Sequence, residues 1–98
     1  MAVTSKLSED GKTLTISVSG RFDITTFKVF SDAYKDKLAS VSRCVVDMAD
    51  VEHLDSSALG QLLMLRERSG GESAAIEIVN ARSGVKNILT MAKPLPMP

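Results

Sequence analysis

The sequence predicts an α/β domain in which an N-terminal β-hairpin leads into alternating strand and helix units, giving a mixed, mostly parallel sheet of four to five strands packed with helices. Three observations predict it. Residues 12–19, KTLTISVS, alternate Leu14, Ile16 and Val18 with Thr13, Thr15, Ser17 and Ser19, the period of a strand with one dry face. Phe27, Phe30, Ala33, Tyr34 and Leu38, and later Leu59, Leu62 and Leu63, recur at helical steps of three and four. Short apolar runs at 44–48 and 74–79 alternate with these helices. A strand, helix, strand order with short connections implies right-handed crossovers and a parallel core of three strands.

In chain order, residues 3–7 form a weaker strand, and Ser8-Glu9-Asp10-Gly11 supplies the turn that joins it to 12–19 as a hairpin. After Gly20-Arg21-Phe22-Asp23, Thr25 and Thr26 are placed to cap the first helix, whose outer face is Lys28, Asp32, Lys35 and Asp36. Cys44, Val45, Val46 and Met48 read as a strand covered on both sides. A helix over 57–69 stops at Gly70-Gly71, with Leu62 and Leu59 facing the core. After the strand at 74–79, Val85, Ile88, Leu89 and Ala92 form a last helical stripe, ended by prolines at 94, 96 and 98.

With 98 residues the chain is expected to be one domain, 1–98, with its core at about 12–92 and a short Pro-rich tail at 93–98. Twelve basic residues balance twelve acidic ones, and one Tyr, three Phe and no Trp provide few stacking platforms, so direct nucleic-acid binding is not expected. The single Cys44 allows no internal disulfide and no cysteine-based zinc site, which fits a reducing, cytoplasmic setting. No stretch approaches the ~20 apolar residues of a spanning helix, and no role in a membrane is expected.

Residues 51–57, Val-Glu-His-Leu-Asp-Ser-Ser, follow the run at 44–48 and so leave the carboxyl end of a parallel strand, where sites on such sheets usually lie. His53, Asp55 and Ser56 contain the residue types of a catalytic triad. Residues packed this closely rarely reach triad geometry, and no glycines flank the serine as in a nucleophile elbow. Asp47, Asp50, Glu52, His53 and Asp55 could hold a hard cation, but their spacing matches no known ligand loop. Asp55, Ser56 or Ser57 can cap the following helix, which is a sufficient structural role. A serine left exposed at that positive helix end could also be a substrate for phosphorylation, with no catalysis of its own.

Asp55-Ser56-Ser57-Ala58-Leu59-Gly60, preceded by a strand ending in Asp47 and followed by a Leu-rich helix, resembles the STAS domain of anti-sigma factor antagonists, also called anti-anti-sigma factors. Gly20-Arg21-Phe22-Asp23, Gly70-Gly71 and Asn80 fit the same frame, although Ala58 stands where the family commonly has Gly. The resemblance implies a STAS-like α/β domain that is not an enzyme and needs no cofactor or metal. It implies partner switching: the unphosphorylated chain binds an anti-sigma factor that is also a GHKL-type serine kinase and so frees the sigma factor. Phosphorylation on Ser56 ends binding, and a metal-dependent serine phosphatase reverses it. Asp23, Asp50, Glu52, His53, Asp55, Ser57 and Gln61 are then the partner-binding residues, on a monomer or weak dimer. The alternative is a non-switching STAS subunit of a lipid-transport ATPase or other transporter complex.

Overall fold

Burying the apolar residues of a strand also buries its peptide groups, so the first requirement on residues 12–19 is a partner for their backbone. The computed structural model describes residues 2–70 and 75–85. In it β1 (Ala2–Leu7) pairs antiparallel with β2 (Thr13–Phe22), as expected of the hairpin. Gly11 takes a positive φ of 71° in the turn, and Asp10 accepts hydrogen bonds from the Ser8 hydroxyl at 2.5 Å and the Lys12 amide at 3.0 Å. β2 then pairs in parallel with β3 (Arg43–Leu54), which pairs in parallel with β4 (Ile76–Val79). The sheet order is β1-β2-β3-β4, so the expected mixed sheet with a three-strand parallel core is present.

Both crossovers step in the same direction along the sheet, and two right-handed crossovers of that kind put both helices on one face. The ladder aligns Leu14 with Cys44 and Cys44 with Ile76, then Ile16 with Val46 and Val46 with Ile78. All six are buried in one core with Phe30 and Tyr34 of α1 (Phe27–Tyr34) and Ala58, Leu62 and Leu65 of α2 (Ser56–Arg68). Phe22, Phe30 and Tyr34 stack along its edge with ring centroids 5.0 and 5.7 Å apart, in tilted and edge-on geometries that aromatic pairs favour. The intervening residues Val45 and Asp47 point to the opposite face, which no described helix covers. The expectation of a β3 covered on both sides is therefore corrected: its side chains alternate, and only one set is buried.

β3 is longer than the run at 44–48 suggests because it passes through two register shifts. Ser17 pairs with Asp47 but Ser19 with Asp50, and Gly20 pairs with Val51 but Arg21 with His53. Each shift inserts one extra residue into β3. Such bulges let two successive side chains leave on the solvent side before the chain turns in again. Ala49 and Asp50 are exposed, then Glu52 and His53, while Met48, Val51 and Leu54 stay buried. Gly20, with φ 80°, lies between the two shifts and takes a conformation that a side chain would oppose.

The helices also differ from expectation in their details. Thr25 and Thr26 do not cap α1 directly. Asp23 caps a 3₁₀ turn over Ile24–Thr26, Thr26 points inward, and α1 follows with Phe27 41% exposed. α1 ends at Tyr34, and Leu38 belongs to a separate 3₁₀ turn. In α2 the buried stripe is Ala58, Gln61, Leu62 and Leu65, with Leu63 42% exposed. Of the last apolar stripe, Val85 is buried, whereas Ile88, Leu89 and Ala92 lie outside the described residues, as do Gly71 and the tail.

Leu62 has no exposed surface, so Leu62→Ala should lower stability by about 2–5 kcal/mol through lost burial and a residual cavity, read from denaturant midpoints. A loss below about 1 kcal/mol would contradict its place in the core. Cys44 is 2% exposed, and burial pushes its thiol up to about 11. The native protein should therefore react with thiol reagents far more slowly than the unfolded chain.

Candidate functional site

Phe22 and Leu54 form the last rung of the parallel ladder between β2 and β3. The next residue on each strand is an aspartate, and each aspartate caps a helical turn. Asp23 has extended backbone (φ −143°, ψ −164°), and its Oδ1 accepts from the Thr25 amide at 3.0 Å and the Thr25 hydroxyl at 2.5 Å. Asp55 is also extended (φ −124°, ψ −174°). Its Oδ1 accepts from the Ser57 amide at 3.0 Å, the Ser57 hydroxyl at 2.6 Å and the Ala58 amide at 3.3 Å. Asp-Ile-Thr and Asp-Ser-Ser thus build the same cap twice, side by side at one end of the sheet.

In each cap the third residue donates its hydroxyl to the aspartate, and the second points away. Ser56 is the exposed first residue of α2, and its hydroxyl has no hydrogen bond among the described residues. Ser57 is half-buried with its hydroxyl tied to Asp55. The equivalent of Ser56 in the other cap is Ile24, 67% exposed. Sequence reasoning passed over Ile24. The signal that could have found it is the spacing that Asp23 and Thr25 share with Asp55 and Ser57.

Gln61 joins the two caps. Its Nε2 donates to the backbone carbonyl of Asp23 at 2.8 Å, one turn into α2. Only 4% of the residue is exposed, which corrects its assignment as a partner-facing side chain: a helix starting at Ser56 turns position 61 inward, and the Asp23 carbonyl offsets the cost of burying the amide. Its Oε1 is buried and has no hydrogen bond among the described residues. Of the other expected site residues, Asp50, Glu52 and His53 are exposed on the bulged part of β3, and Asp23 and Asp55 are half-buried. Asp47 braces the base of this region, accepting from the Ala49 amide at 3.0 Å and from Asn80 Nδ2 at 3.2 Å, while Arg82 Nε donates to the Ala49 carbonyl at 3.1 Å.

This arrangement does not assemble a triad, because the Asp55 carboxylate is engaged with Ser57 and the start of α2, and neither His53 nor the Ser56 hydroxyl bonds to it. Among the described residues, no group of three or more His, Cys, Asp or Glu comes together to hold a metal ion. Nor is any helix among them long and apolar enough to cross a membrane. What the end of the sheet offers is a hydroxyl in solvent, two anchored carboxylates and an exposed apolar side chain.

The hydrogen bond from the Ser57 hydroxyl is the chief cause that lowers the Asp55 pKa, against desolvation and, least of all, the Asp23 charge; the Thr25 hydroxyl lowers the Asp23 pKa in the same way, against desolvation. A carboxylate with a lowered folded-state pKa adds stability above its unfolded pKa, and that stability is lost as pH falls through the folded value. The loss falls below the ordinary carboxyl pKa of 3.8. Asp55→Asn keeps a good cap but removes this titration, so the drop in Tm between pH 7 and pH 3 should be smaller than in wild type. Identical drops would show that Asp55 is not linked to folding.

The profile of the family described as "Mlab, STAS domain" matches residues 5–93. A STAS-domain containing protein of Pseudomonas aeruginosa strain UCBPP-PA14 is 45% identical over 92 residues, which cover 94% of this chain and 91% of that one. The crystal structure of an anti-sigma factor antagonist from Mycobacterium paratuberculosis is similar with a TM-score of 0.77 at 26% identity, over 98% of this chain and 85% of that one. The anti-sigma factor antagonist SpoIIAA in its unphosphorylated form also gives a TM-score of 0.77, over 99% of this chain and 87% of that one; at 14% identity this shows the shared fold. The family match over nearly the whole chain, the close relative and the sheet just described agree: this chain belongs to the STAS domain family and resembles anti-sigma factor antagonists.

Proposed function

We propose that the chain is an anti-sigma factor antagonist that works by partner switching in the bacterial cytoplasm. Unphosphorylated, it binds an anti-sigma factor that is also a GHKL-type serine kinase, and so frees a sigma factor. Phosphorylation on Ser56 ends the binding, and a metal-dependent serine phosphatase restores it. The observation that carries this reading is the contrast between two adjacent serines: Ser56 is exposed and its hydroxyl has no hydrogen bond among the described residues, whereas the Ser57 hydroxyl is held by Asp55 at 2.6 Å. Only the first is available as a nucleophile toward a nucleotide phosphate held by another protein.

The physics of the switch is local. A phosphate brings about −1.5 to −2 charges at neutral pH, and it would arrive beside Asp55 and Asp23 in the middle of a contact surface. Desolvating that charge and opposing it to the carboxylates weakens the complex without any change of fold. The chain itself contributes a substrate hydroxyl and a surface, and no catalytic group. The presence of anti-sigma factor antagonists among similar structures supports the reading. A second reading, a non-switching STAS subunit of a transporter complex, has on its side the "Mlab" description of the matching family.

Ser56→Asp should keep the fold and weaken binding to the partner kinase by at least about tenfold, the equivalent of about 1.4 kcal/mol. Ser56→Ala should bind constitutively and accept no phosphate, while Ser57→Ala should still be phosphorylated. Kinase assays with mass-spectrometric site mapping, together with calorimetric binding, test all three. Phosphate mapping to Ser57 would overturn the choice of residue. Wild-type binding by both Ser56 variants would overturn the switch and favour the transporter reading.

A further inference from the structure

We infer that Ile24 is the apolar anchor through which the protein that phosphorylates Ser56 docks, and that the docking face has an apolar recess bordered by Lys or Arg side chains. The inference rests on the switching function proposed above and adds to it the chemistry of the partner. Its first support is the duplicated cap. Asp23 and Asp55 follow the paired residues Phe22 and Leu54, so the two caps leave neighbouring strands, which lie about 4.8 Å apart. Both caps bond to the third residue of the motif and turn the second outward, so Ile24 and Ser56 emerge at the same end of the sheet.

The second support is what Ile24 does not do. It is 67% exposed and is the most exposed of the large hydrophobic side chains among the described residues, although it lies in a turn whose neighbour Thr26 is fully buried. Phe27, one turn on, adds a ring that is 41% exposed. The loop carrying them is held in place: Thr26 Oγ1 accepts from the Asp23 amide at 3.1 Å and donates to the Arg21 carbonyl at 3.2 Å, and Gln61 fastens the Asp23 carbonyl to α2. An apolar side chain presented on an ordered turn loses little entropy on binding, the property of an interface anchor.

The third support is charge. Asp50 and Glu52 are exposed on β3, and Asp23 and Asp55 flank Ile24 and Ser56. Arg21 lies 3.6 Å from Asp23 and answers one of these carboxylates. The surround of the apolar pair is therefore acidic, and a complementary face carries basic side chains around its recess. Phe27 enlarges the apolar area that this recess must accept.

The test is the fraction of Ser56 that carries phosphate in the native cell, measured by intact-protein mass spectrometry, and the initial phosphorylation rate with the purified kinase that modifies the wild-type chain. Ile24→Glu should reduce the rate at least about tenfold with an unchanged Tm, Ile24→Leu should retain it, and Glu52→Lys should reduce it severalfold. Ile24→Ser gives the same readout without added charge, so that a loss with both Ile24→Ser and Ile24→Glu identifies the apolar contact. If wild type is phosphorylated on Ser56 and both Ile24 variants are phosphorylated as fast, the inference is overturned and the switching function stands. If wild type carries no phosphate on Ser56, the switching function fails and the inference fails with it.

Discussion

Parallel pairing of β2 with β3 makes two consecutive strands end at the same edge of the sheet, and each must then hand its chain to a helix on the same face. The end of a strand and the start of a helix both leave peptide groups without partners, and here the two deficits coincide in a small volume. Placing an aspartate directly after Phe22 and another directly after Leu54 resolves both, since each carboxylate takes the free amides of the turn that follows. The surface around Ser56 is a consequence of this constraint. Its side chains are the ones that the caps have no use for.

Bringing two acidic caps together carries a cost, because the Asp23 charge opposes ionisation of Asp55. The hydrogen bonds outweigh it, and both carboxylates stay below their ordinary pKa. Gln61 ties the caps together: its buried Nε2 donates to the Asp23 carbonyl and so holds the loop of Ile24 against the helix of Ser56.

The sheet was legible in the sequence wherever the side-chain period is clean. Leu14, Ile16 and Val18 announced a half-buried strand, and Phe30 and Tyr34 announced the inner face of α1, because in these segments a single packing partner imposes a single period. Legibility ended at residue 48. Two bulges change the period of β3 from two to three, so exposed Asp50, Glu52 and His53 resemble a loop although they lie in a ladder. The burial of Gln61 was hidden for another reason: a polar side chain goes inside only when a specific acceptor waits there, and that acceptor, the Asp23 carbonyl, is 38 residues away in sequence. The polar cluster itself was legible, since Asp-Ser-Ser before a Leu-rich helix is a cap in any fold. The twin cap at Asp23 is masked in the sequence by Thr25 and Thr26, which are themselves adequate N-cap residues for α1.

The cap also explains why a modification of Ser56 need not disturb the fold. Helix N-termini attract phosphate through their free amides, and an uncapped α2 would draw a phosphate on Ser56 down onto its first turn. Asp55 already holds the Ser57 and Ala58 amides, and the Asp55 backbone carbonyl accepts the Ala58 and Leu59 amides at 3.1 and 3.4 Å. The phosphate would find those donors occupied by a group of its own charge and would stay in solvent, directed away from the protein. Its effect then falls on whatever approaches that surface rather than on the helix beneath. An aspartate before the serine thus fixes the helix, and under the proposed switch it would also keep the negative charge of a phosphate on Ser56 available to a partner.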